Sequence, residues 1–85
     1  MSRLEQYEEI ALAMAQSTVA DAIERSPLSQ SGVAKQLGIN RSFITRVLRG
    51  DHNLTVKTMA RICAAAGFEL RFGVVPVAKT KEPQR

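Results

Sequence analysis

Five side chains that donate hydrogen bonds crowd one short stretch of the chain: Arg41, Ser42, Thr45, Arg46 and Arg49. On a helix, residues three and four apart share a face, so Arg41, Thr45 and Arg49 stack in one row, with Ser42 and Arg46 beside it. A guanidinium is a planar fork. It donates two parallel hydrogen bonds to a phosphate, or to O6 and N7 of guanine. No acidic residue occurs from 28 to 50, so no carboxylate within that stretch competes for these donors. Other chemistry finds less support. His52 has no second histidine or carboxylate at metal-ligand spacing. Cys63 falls on an inner helical face and reads as a small core residue. Ser29, Ser31 and Ser42 lack a base partner and read as helix caps or phosphate donors. The expectation is a protein without catalysis, metal or cofactor.

Positioning those donors takes a particular run of elements. Residues 3–25 contain no Gly or Pro and are rich in Ala, Glu, Leu, Met and Gln, which predicts a long helix. Ser2 is its expected cap, with Glu5 three residues on. Its apolar residues fall in two stripes, Leu4, Tyr7, Ala11, Met14 and Leu12, Ala15, Val19, Ile23, so the inner face shifts and a bend near 14–17 is expected. Ser26-Pro27 stops it. Ser29 caps a short second helix whose inner residues are Val33, Ala34 and Leu37. After Gly38, Asn40 caps a third helix, Arg41–Arg49, seated by Ile44, Val47 and Leu48. Asp51-His52-Asn53 is a polar loop. Thr55 caps a fourth helix to Ala66, with Val56, Met59, Ile62 and Cys63 inward. The period then drops to two: Phe68, Leu70, Phe72 and Val74 alternate with Glu69, Arg71 and Gly73, as in a half-buried strand. Pro76 ends it, and 77–85 reads as a flexible basic tail.

Composition limits the function. Eighty-five residues with 45% hydrophobic content make one small domain. Aromatics are 5% and Trp is absent, which argues against a single-strand binder built on stacking platforms. One cysteine rules out an internal disulfide framework and fits a reducing compartment. The apolar runs are far below the ~20 residues of a membrane span, and the acidic start lacks a signal peptide's apolar region. The reading is a full-length cytoplasmic chain with no membrane partner. The net charge of +4 hides a division: residues 1–27 carry −3 and residues 28–85 carry +7. The basic part is the one expected to meet a polyanion.

The turn between the second and third helices carries the sharpest signal. Ala34 permits close approach, Gly38 permits a positive φ, and Ile44 and Val47 seat the next helix. With Ser29-Gln30, Leu37-Gly38, Asn40-Arg41-Ser42, Arg46, Gly50 and Ala66-Gly67, the segment resembles the XRE-type, phage-repressor-like helix-turn-helix domain over about residues 15–67. The resemblance implies an all-α, lambda-repressor-like fold of four to five helices that binds a palindromic operator in double-stranded DNA as a homodimer. It puts Gln30 where the second helix touches DNA backbone or bases. Arg41, Ser42 and Arg46 fall on base-reading positions, and Asn40, Arg49 and the Gly50-Asp51 loop near phosphate. Gly32 departs from the pattern at a cost of up to ~1 kcal/mol. Ile23 and Leu48 stand where some relatives place a buried Arg–Glu pair, so a plain hydrophobic contact is expected. Phe43 is large for its position and is expected to fold back onto the first helix in preference to touching DNA.

The C-terminal strand has no partner in its own chain. Two copies pairing as an antiparallel ribbon would bury Phe68, Leu70, Phe72 and Val74 and set the spacing of the two reading helices. The expected organisation is a helical extension at 1–14, the DNA-binding domain at 15–67, a dimerisation strand at 68–76 and a tail at 77–85. The chain's end also resembles antitoxins of the XRE type. That implies an alternative function: sequestering a toxin protein, with Glu5, Glu8 and Glu9 as its acidic surface, and autoregulating the operon.

Overall fold

A computed structural model describes residues 3–50 and 54–77. Ser2, the Asp51-His52-Asn53 loop and residues 78–85, including most of the expected tail, lie outside the described residues. Four helices follow in order: α1 (Arg3–Arg25), α2 (Gln30–Leu37), α3 (Arg41–Leu48) and α4 (Val56–Ala66). The caps explain the boundaries. Ser29 Oγ accepts from the Gly32 N–H at 3.0 Å, and Thr55 Oγ1 accepts from the Thr58 N–H at 3.1 Å. Each satisfies one of the donors left over at a helix start. Gly38 ends α2 at φ +73, a left-handed conformation that any Cβ disfavours. The Ile39 N–H then reaches back to the Ala34 carbonyl at 3.0 Å. The same closure ends α4, where the Phe68 N–H meets the Cys63 carbonyl at 2.8 Å.

The core draws on all four helices. Val19, Val33, Ile44, Val47 and Ile62 are at most 1% exposed, with Ala22, Ile23, Ala34, Met59, Cys63 and Ala66 around them. Burying each large side chain contributes about 1.5–3 kcal/mol. α1 packs on α3 and α4, and α2 packs on α3 and α4. The scaffold thus holds α3 from two sides. Ile23 is buried and Leu48 packs against the same core.

Several expectations need correction. α1 is one unbroken helix of 23 residues. Its stripes shift because the core receives only its second half. Residues 3–14 are exposed throughout, including the whole first stripe, Leu4, Tyr7, Ala11 and Met14. Val56 is 59% exposed, because the inner stripe of α4 begins one turn later at Met59. The strand expected at 68–76 does not form; residues 68–77 are neither helix nor strand. Among the described residues there is no second strand to supply a ladder, and a lone extended segment has no ladder of its own. The alternation is still visible at its start. Phe68 and Leu70 pack on the core, while Glu69 and Arg71 point outward and pair at 3.3 Å. Phe72 and Val74, the other half of the expected dimer face, are 67% and 96% exposed.

Candidate nucleic-acid interface

α3 has two faces of opposite character. Ile44 and Val47 are fully buried. Arg41, Ser42, Arg46 and Arg49 are exposed, and so is Asn40 just ahead of the helix. Thr45 is half-buried, and its hydroxyl donates to the Arg41 carbonyl at 3.3 Å. Gln30 opens α2 and is half-buried. Tight closure at Gly38 brings α2 and α3 together, so α2 buttresses α3 and leaves the arginine face outward.

Two details at α3 differ from the sequence reading. Asn40 occupies the N-cap position with extended backbone, yet its side chain makes no cap hydrogen bond. Phe43 does not lie over α1. It shares an open hollow with Leu37 and Ile39, and with Thr58, Arg61 and Ile62 of α4. The Arg46 guanidinium lies 5.8 Å from its ring centre, within cation–π range. Phe43 is half-buried against the core, and its ring gives the Arg46 head group a platform at the helix surface.

Sequence reasoning missed the residue that ties α3 to α1. The Gln16 amide donates to the Val47 carbonyl at 2.6 Å and to the Leu48 carbonyl at 3.1 Å. A helix leaves its last four carbonyls without partners inside the helix, and Gln16 serves two of those at the end of α3, where the Val47 carbonyl also accepts from the Gly50 N–H at 3.0 Å. A signal was present: Gln16 interrupts an apolar row, Leu12, Val19 and Ile23, and a polar residue on an inner stripe calls for a partner. Arg25 was missed as well. It pairs with Asp21 at 2.9 Å and sits 5.0 Å from the Phe68 ring centre, pinning the segment after α4 to α1.

Residues 16–71 match the family described as a helix-turn-helix domain. The chain belongs to that family. Its members are XRE-like regulators, which makes this helix-turn-helix protein a DNA-binding one. The match runs through α2, α3 and α4 and extends into the segment that packs on α1. Neither the comparison with curated proteins nor that with solved structures gave a match. Among the described residues, no helix is long and apolar enough to cross a membrane, and no group of histidine, cysteine and carboxylate side chains is placed to hold a metal.

Proposed function

We propose that this helix-turn-helix protein is a sequence-specific regulator of transcription, acting as a repressor, which lays α3 in the major groove of double-stranded DNA. One observation carries the reading. The outer face of α3 is cationic and open, on a segment without a single carboxylate from 28 to 50. Arg41 and Ser42 meet base edges from the helix start, where a groove-bound helix reads sequence, and Arg46 reaches them from the last turn of α3. Arg49 and the free side chain of Asn40 meet phosphate, and Gln30 approaches from the start of α2. Thr45 offers a methyl group to thymine. The division of labour is an extension at 1–14, a reading domain at 15–67 and a dimerising segment at 68–76. Binding of two copies to one operator excludes polymerase without any chemistry on the DNA.

Selection of DNA from a random pool by the purified chain tests this. The expected product is a palindrome whose half-sites lie about one helical turn, ~34 Å, apart. Enrichment of a single unpaired half-site would remove the dimeric part of the proposal. No enrichment at all would remove sequence-specific readout.

A further inference from the structure

One face of α1 is covered over half its length and bare over the rest. Thr18, Asp21, Ala22 and Arg25 share a shallow crevice with Phe68, Glu69, Leu70 and Arg71, so the segment after α4 runs against the second half of that face. Counting back by fours and threes from Thr18 gives Met14, Ala11, Tyr7 and Leu4 on the same face. Leu4, Tyr7 and Met14 are 75, 41 and 61% exposed. The segment that covers the second half is itself left bare beyond Arg71: Phe72, Val74 and Val75 are 67, 96 and 84% exposed. A bare apolar seam and a bare apolar strip therefore belong to one molecule, each continuing two elements already in contact, and neither covers the other.

We propose that the strip of one copy, Phe72–Val77, seats on the α1 seam, Leu4–Met14, of a second copy, and that the exchange is reciprocal. This rests on the dimeric reading above and replaces the tail-to-tail ribbon as its contact. Two arguments select it. The first is length. The seam spans about 15 Å at 1.5 Å per residue, and six extended residues span about 17 Å. The second is charge. Residues 3–14 carry Arg3 against Glu5, Glu8 and Glu9, a net −2, whereas residues 69–85 carry Arg71, Lys79, Lys81 and Arg85 against Glu69 and Glu82, a net +2. Seam on seam brings like charges together, whereas strip on seam brings a basic segment of the sequence to an acidic one. A reciprocal exchange has two-fold symmetry, which closes at two copies.

Disulfide trapping in the full chain tests the contact. One copy carries Tyr7→Cys or Met14→Cys, and the co-expressed copy carries Phe72→Cys or Val74→Cys. The native Cys63 is 2% exposed and does not compete. On oxidation, at least one of the four combinations is expected to give a covalent dimer, while each variant alone gives monomer on a denaturing gel. A covalent dimer from Phe72→Cys or Val74→Cys alone would show strips pairing with each other and overturn the exchange. One from Tyr7→Cys or Met14→Cys alone would show seams pairing and overturn it equally. A link within one chain of the double variant would assign the strip to its own seam. Light scattering on the wild-type chain separates the two levels. Dimer mass without any mixed cross-link leaves the dimer standing and removes this contact. Monomer mass removes both, and leaves the acidic seam to a different protein.

Discussion

At the residue scale, Arg46 and Arg41 differ in support although both lie on the open face. Arg46 has the Phe43 ring beneath it, so part of its ordering cost is met before DNA arrives. Replacing either with Ala is expected to weaken binding to a selected operator by about 1–3 kcal/mol and to relax preference at a few base positions. Competition titrations against random DNA check this, since equal losses on both would assign a phosphate role. Phe43→Leu should weaken operator binding less than Arg46→Ala, because it removes the platform and keeps the donor. Cys63 belongs to the interior. Burial pushes its thiol above the ordinary 9.0. A raised folded pKa keeps its stabilising contribution intact below that value. The contribution is lost as pH climbs past 9.0 toward the folded value, because only the unfolded chain then gains by ionising. Thiol reagents should accordingly react slowly with the native protein at neutral pH and fast in denaturant.

At the element scale, the angle at which α3 stands is set by two short features. Gly38 at φ +73 makes the turn, and there is no atom within 4 Å of where its Cβ would be. Gly38→Ala therefore tests backbone strain alone, and a loss of about 1 kcal/mol by denaturant unfolding is expected. Gly32 is a different case. A Cβ there would stand 3.1 Å from the Leu28 Cβ, so the glycine that looked costly in the sequence accommodates the entry of the chain into α2. The Gln16 clasp is the second feature. Gln16→Leu removes the amide that serves the Val47 and Leu48 carbonyls, and should cost about 1–2 kcal/mol. For a domain of this size that lowers Tm by several degrees. Gln16→Glu should not restore it, since a carboxylate offers these carbonyls no donor.

At the scale of the whole molecule, the chain is polarised. Its long axis is 49 Å against 25 and 18 Å for the others, and charge divides along the sequence into −3 and +7. Association with DNA is expected to weaken steeply with salt, by a slope of about −0.9 for each phosphate neutralised. Measuring that slope for the wild type and for Lys57→Ala, whose residue lies exposed near the start of α4, would show whether the surface beyond α3 reaches the backbone. An unchanged slope would confine the footprint to α2 and α3.

Local patterns along the chain were enough to set the helices, their stops and the choice of face on α3. These follow from local rules: Ser29 and Thr55 as caps, glycine at a positive φ, and apolar residues three and four apart. Such patterns also separated donors from core, because the spacing of Ile44 and Val47 fixes what is left outside. Packing between elements set the rest: how far the core extends along α1, that Gln16 serves another helix, and that Phe43 lies beside α4. Each of these depends on which parts of the chain meet, and residues 31 apart in sequence carry no mutual signal in their spacing. The extended segment shows the same limit. Alternation announced Phe68 and Leu70 as inward-facing, but a strand needs a second backbone, which no local pattern can provide.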